Sequence, residues 1–278
     1  SALHIVPRFI KSISALFRRT RKVMTELPLL ILLLVGHILG DFYLQPKTWV
    51  DDRIAKHFHS VKLRYHVLVH TVLTALVLCY WSWLQGTSLS LMSISYCCGL
   101  VAASHFVIDA AKSYAKATVW PFVLDQIAHG AILVCVFCFF TEQWSVLCET
   151  FAKTPSFTVL AVLLGYLLAM TPTSILVGLL LRSWHSAIPE SSRTQSLSDA
   201  GHYIGILERL LIVTFVVLNE LGGVGFLLAA KSIFRFGDLT RSTDKKLTEY
   251  VLLGTLLSVG CSLAIGLILR FIINANLA

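Results

Sequence analysis

The chain has 278 residues, 56% apolar and 14% charged, where soluble proteins average about 45–50% and about 25%. A water-soluble domain cannot hide that much apolar surface, and a mean hydropathy of +0.77 excludes a disordered, collagen-like or ordinary cytosolic protein. The net charge of +8 sits mainly between the apolar runs. There it serves topology and anionic lipid headgroups, so no nucleic-acid partner is expected.

Residues 1–23 read as a basic amphipathic segment for a lipid surface. Ile5, Val6, Phe9, Ile10, Ile13, Leu16 and Phe17 recur at helical spacing among Arg8, Lys11, Arg18, Arg19, Arg21 and Lys22. Met24 stands just before the first apolar run, so the segment reads equally as an added extension. It lacks the long apolar stretch and small-residue cleavage site of a signal peptide.

Eight apolar runs follow: Pro28–Leu44, Tyr65–Leu84, Leu91–Tyr114, Val119–Phe140, Phe157–Leu181, His202–Leu218, Leu221–Phe236 and Tyr250–Ile273. Each approaches the roughly 20 helical residues that cross a hydrocarbon layer. The seventh is short and carries Gly222, Gly223 and Gly225, which leaves open whether it fully spans. The expected fold is an all-α polytopic membrane protein of about eight transmembrane helices, the first four forming a metal-binding bundle. The polar connection Arg182–Ala200, with Pro189 and several serines, separates the last three runs from the first five. The expected division is a four-helix metal-site unit over residues 24–155 and a C-terminal helical unit over 156–278.

Four pairs of metal-capable side chains mark the first four runs. They are His37 with Asp41, His66 with His70, His105 with Asp109, and Asp125 with His129. A spacing of four puts both members on one helix face, about 6 Å apart along the axis. In an up-down-up-down bundle these eight residues lie at one end, a layout used by carboxylate-and-histidine metal sites in four-helix bundles. Ionisable groups inside spans are costly and usually functional. The ligand set suits two divalent ions, with Zn, Fe and Mn equally compatible. Asp41, Asp109 and Asp125 are the candidate catalytic carboxylates, able to bridge metals or take a proton from a bound water.

Other residues flank this set. Gln45 and Gln126 stand beside ligand pairs and are expected to orient a ligand or a water. Lys112 is expected to pair with Asp109 or face headgroups. His57 and His59 follow the first run and read as solvated loop histidines, with completion of the site as the alternative. In the second half Glu208 and Arg209, with His202, face Lys231 and Arg235 from the neighbouring run. Ion pairing between the two helices is the simpler expectation; a cationic cradle of Arg209, Lys231 and Arg235 for an anionic substrate group is the sharper one. The seven cysteines lie mostly in apolar runs, so Cys135 and Cys138, although spaced CxxC, read as packing residues. Gly254, Ser258, Ser262 and Gly266 form a small-residue stripe for close helix contact, with a homo-oligomer as one use for it.

The strings GHILGDFYLQ, HVLVH, HFVIDAAK and DQIAH, in that order over about residues 27–140, resemble the bacterial membrane family catalogued as domain of unknown function 3307. GHYIGILERLL and AAKSIFRF resemble the C-terminal part of its longer members. The resemblance implies the helical membrane fold and the eight-residue site, and no settled reaction. The layout is also similar, more weakly, to inner-membrane proteins described as metal-dependent hydrolases.

Basic residues crowd the loops on the side of the paired motifs, among them Lys47, Arg53, Lys56, Lys62, Arg64, Lys112 and Lys116. The positive-inside rule therefore places the site toward the cytoplasmic face of a bacterial inner membrane, in contact with the lipid bilayer and its anionic lipids. The leading expectation is a membrane-embedded metal hydrolase acting on a lipid-linked or amphipathic substrate. A di-iron oxidoreductase on an apolar substrate, a cation transporter or metal-sensing protein, and a purely structural metal staple are the alternatives.

Overall fold

A computed structural model describes residues 26–86, 90–142, 155–185, 200–239 and 245–277. The basic segment 1–23 and most of the polar connection, residues 186–199, lie outside the described residues. Helices dominate, and no strand occurs among the described residues. They are α1 (Glu26–Phe42), α2 (Lys47–Lys56), α3 (Val61–Leu84), α4 (Leu91–Lys112), α5 (Val119–Thr141), α6 (Pro155–Ala169), α7 (Thr171–His185), α8 (Ala200–Val217), α9 (Leu221–Leu239) and α10 (Lys245–Leu277).

Five helical stretches are long and apolar enough to cross a membrane: α3, α4, α5, Phe157–Trp184 and Thr248–Ala275. Counting the bent pair of α1 with Lys47–His59 makes six. Their apolar windows are at most one-third buried within the protein. Leu68, Leu76, Val107, Ile127 and Phe271 instead point outward. A soluble protein would bury such faces; their exposure suits a membrane protein.

The chain falls into two compact units, one centred on α1 to α5 and the other on α6 to α10. In the first, α3 and α4 each bury a stripe at intervals of three and four residues. On α3 the stripe runs Leu63, His66, His70, Thr74 and Leu78; on α4 it runs Ile94, Cys97, Val101, His105 and Asp109. On α5 Asp125 and His129 lead into Leu133, Val136 and Phe137. The apolar ends meet Leu29 and Leu33 of α1 in one core, which also takes up Cys138. The polar ends of the same stripes form the site. Packing at one end thus fixes the chemistry at the other.

Two local features shape that end. Pro46 has no N–H to continue α1, and the chain turns by 79° before Lys47–His59. Ser60 then starts α3, its hydroxyl accepting from the Leu63 amide at 3.0 Å and donating to Asp52 at 2.6 Å. The polar helix α2 is therefore held across the mouth of the bundle and buries a single residue, Arg53.

The second unit packs through small residues. A Cβ at Gly266 would sit 2.8 Å from Val216 Cβ, and one at Gly254 would sit 3.0 Å from Leu181. The stripe of α10 thus faces α7 and α8 of its own unit. α6 and α7 break at Met170, where Arg209 of α8 donates to the carbonyls of Ala169 (2.6 Å) and Met170 (3.2 Å) and to Ser174. Helix ends leave unpaired carbonyls, and the guanidinium supplies a donor to that of Ala169, while the Met170 carbonyl also accepts from the Ser174 amide (3.2 Å) and hydroxyl (3.0 Å).

Candidate metal centre

The four pairs converge. His37, His66, His70, His105, Asp109, Asp125 and His129 are all buried, and the Asp41 side chain is 9% exposed. Asp41 is the hub. Its Oδ1 lies 3.0 Å from His70 Nε2, 3.3 Å from His66 Nε2 and 3.5 Å from His105 Nε2, while its Oδ2 lies 3.5 Å from His37 Nε2. Asp109 Oδ2 adds contacts of 3.5 Å to His66 and 3.9 Å to His105. Asp125 Oδ1 stands 3.7 Å from His129 Nδ1. The rings crowd likewise: His70 stacks on His105 at 3.8 Å, and His129 lies 4.1 Å from His105.

Much of this proximity is not hydrogen bonding. Asp41 Oδ1, His37 Nε2, His70 Nε2, Asp125 Oδ1 and His129 Nε2 are buried without a hydrogen-bond partner. Leaving so many polar atoms unpaired in an apolar bundle is expensive. A tetrahedral metal with bonds of about 2.0–2.2 Å sets its ligand atoms about 3.3–3.6 Å apart. Three of the four Asp41–imidazole separations fall in that range and the fourth, to His70, is shorter at 3.0 Å; His66 Nε2 and His105 Nε2 also hydrogen-bond each other at 3.1 Å.

Three groupings have donor atoms within 4.8 Å of one another: His37, Asp41, His70 and His105; His66, His105 and Asp109; and Asp41, Asp125 and His129. Asp41 and His105 each belong to two. This sharing is what two adjacent ions with a bridging carboxylate would need. Close approach of α1 to α3 depends on Gly40, because a Cβ there would fall 2.4 Å from His70 Cε1. Below the imidazoles a cavity of about 10 Å³, lined by Leu33, Thr74, Val101 and Leu133 among others, has room for about one water.

The flanking residues sort clearly. Gln126 Nε2 donates to Asp41 Oδ2 at 3.1 Å and to Asp125 Oδ2 at 3.0 Å, fixing two carboxylates at once. Gln45 is half-buried in the turn after α1 and makes no hydrogen bond to the site among the described residues. Lys112 pairs with Asp125 at 2.5 Å rather than with Asp109, because three residues along α4 carry its ammonium toward α5. Asp109 is instead paired with Arg53, which reaches in from α2. Sequence spacing holds no sign of this contact, since it arises from the 79° turn. His57, at a positive φ of 51°, stacks on Tyr114 and bonds Ser113 at 2.8 Å, outside the metal-capable groupings. His59 is exposed beside Phe58.

In the second unit Lys231 pairs with Glu208, the simpler of the two expectations. Arg209 spends its donors on the α6–α7 break and on Ser258. Both cations are thus engaged within the second unit. Arg235 lies on α9, with its side chain outside the described residues. His202 is exposed.

Residues 29–158 match the family model described as Protein of unknown function (DUF3307). Over this stretch the chain is similar to that family. The matched stretch contains all eight converging His and Asp residues, Arg53, Lys112 and Gln126. It ends before GHYIGILERLL and AAKSIFRF. No curated protein and no solved structure matches the chain significantly.

Proposed function

We propose that the DUF3307 unit is a di-metal hydrolase embedded in the membrane, acting on a lipid-linked or amphipathic substrate. The observation that carries this reading is the Asp41 hub. One carboxylate oxygen lies within 3.5 Å of three imidazole nitrogens, while it and its nearest imidazole neighbour both lack hydrogen-bond partners. Two divalent ions held there would acidify a bound water and polarise a phosphoryl or acyl oxygen. Asp41 or Asp125 would orient that water or take its proton. The site lies at one end of its helices, and in this reading that end sits at headgroup depth, where the scissile group of a lipid would lie.

In this reading the chain crosses a bacterial inner membrane eight times: α1, α3, α4, α5, Phe157–Trp184, α8, α9 and α10. Lys47, Lys56, Lys62, Arg64 and Lys116 surround the site end, which favours a cytoplasmic orientation. Elemental analysis of purified protein, wild type beside His66→Ala, tests the proposal. The expected result is about two ions per wild-type chain and fewer in the variant, with a parallel loss of turnover on lipid phosphates or esters. Iron with oxygen-dependent turnover would move the assignment to an oxidoreductase. Metal-free protein would end the proposal.

A further inference from the structure

The mouth of the site holds two cations that are not metal ligands. Arg53 is 6% exposed, pairs with Asp109 through Nη1, and keeps a buried Nε with no hydrogen-bond partner. Lys112 holds Asp125 from the neighbouring helix. Burying a guanidinium with an unused donor is costly, and a buried pair is rarely kept for stability alone.

The charge arithmetic sharpens the question. Without metal, Asp41, Asp109 and Asp125 nearly balance Arg53 and Lys112. With two divalent ions in place, the same pocket carries a surplus of positive charge in a low-dielectric layer. Neutral imidazoles cannot offset it. An anion can.

Resting on the di-metal reading above, we infer that the substrate presents a phosphate oxyanion, and that Arg53 is the residue that grips it. Its planar fork matches the spacing of phosphate oxygens. Its unpartnered Nε–H lies on the opposite edge of the guanidinium from the Nη1 directed at Asp109, so one guanidinium can bridge the metal-binding carboxylate and the incoming phosphate. α2 delivers this fork to Asp109 at the end of α4. Lys112 adds charge on the opposite carboxylate. The phosphate can be a lipid headgroup or a free phosphate; both offer the same chemistry.

The test uses full-length protein in phosphatidylcholine nanodiscs, loaded with metal and freed of excess. Calorimetric titration with inorganic phosphate should show binding to wild type. Arg53→Gln should raise the phosphate Kd by roughly ten- to a hundredfold, the loss of a charge-assisted hydrogen bond. Its metal content should be unchanged, and its metal affinity unchanged or higher, because a cation competing for Asp109 is gone. Should Arg53→Gln not fold, Arg53→Lys decides: it keeps the charge on Asp109, loses the fork, and should still weaken phosphate binding. Nanodiscs doped with phosphatidic acid separate the sources. Competition with inorganic phosphate assigns the anion to a headgroup, and absence of competition assigns it to a soluble phosphate. Metal-loaded wild type that binds neither anion overturns this inference alone, as does phosphate binding insensitive to both Arg53 variants. Wild type that takes up no metal overturns the di-metal reading and this inference with it.

Discussion

Gly40 and His70 touch so closely across α1 and α3 that a methyl group on Gly40 would overlap the imidazole, at 2.4 Å from Cε1 and 2.5 Å from Nε2. A glycine inside a helix costs about 1 kcal/mol relative to alanine. On propensity alone Gly40→Ala should stabilise the protein. The contact reverses the sign, because His70 must leave the position where its Nε2 faces Asp41. We expect Gly40→Ala to lose metal and to be destabilised by about 1–3 kcal/mol through overpacking. Metal content after dialysis reads the first effect and thermal unfolding the second. A variant more stable than wild type with full metal would refute the close approach.

Asp41 belongs to two of the three metal-capable groupings, whereas His129 belongs to one. The two positions should therefore differ in stoichiometry and not merely in degree. His129→Ala is expected to leave about one ion per chain, and Asp41→Asn close to none, because an amide cannot bridge two cations. Elemental analysis of both variants from one preparation decides. Equal losses would show that Asp41 is not shared.

Gln126 makes a different kind of contribution. It touches two carboxylates and offers no ligand itself. Gln126→Leu should weaken metal binding roughly ten- to a hundredfold, as loss of a group that orients ligands does. At saturating metal the stoichiometry should remain that of wild type. A competition titration against a chelating dye gives both quantities.

How much of this was legible in the sequence follows from the range of each interaction. The spacing of four in His37/Asp41, His66/His70, His105/Asp109 and Asp125/His129 is a property of a single helix, so it survives in the string of letters. Alternating helix direction then places all four pairs at one end. Gln126 was legible for the same reason, as the neighbour of Asp125. Arg53 was not, because its contact with Asp109 depends on the turn at Pro46 and on the packing of α2, neither of which leaves a periodic trace. The pairing of Lys112 with Asp125 rather than Asp109 likewise depends on where α4 sits beside α5. Arg209 reads from the sequence as an ion-pairing partner of the neighbouring run or part of an anion cradle, but its targets are hydroxyls and carbonyls at a helix break within one continuous apolar run, Phe157–Leu181.

Bound metal should also be the main stabiliser of the first unit. Any ligand that binds only the folded state stabilises by mass action, about 2.7 kcal/mol at a hundredfold excess over Kd. The pocket it fills otherwise leaves Asp41 Oδ1, His37 Nε2 and His70 Nε2 unpartnered. Chelation should therefore lower the melting temperature and metal should restore it. Asp41→Asn should show little of either response. A wild-type melting curve indifferent to chelator would argue against metal as a structural partner.

Arg209 offers the matching control in the second unit. Its guanidinium is 5% exposed and satisfies two carbonyls and two hydroxyls around the α6–α7 break. Arg209→Met keeps much of the apolar stem but removes every donor. The Ala169 carbonyl would then lose this donor, at a cost of about 1–3 kcal/mol, while the Met170 carbonyl keeps the Ser174 amide and hydroxyl. We expect a lower unfolding temperature and greater proteolysis near Met170, with the metal content of the DUF3307 unit unchanged. Arg209→Lys should recover part of the stability, since an ammonium reaches some of the same acceptors but cannot fan out to all four. Were Arg209 instead a substrate-anion site, Arg209→Met would leave the fold intact and abolish phosphate binding; the hydrogen bonds to the helix break require the opposite pattern.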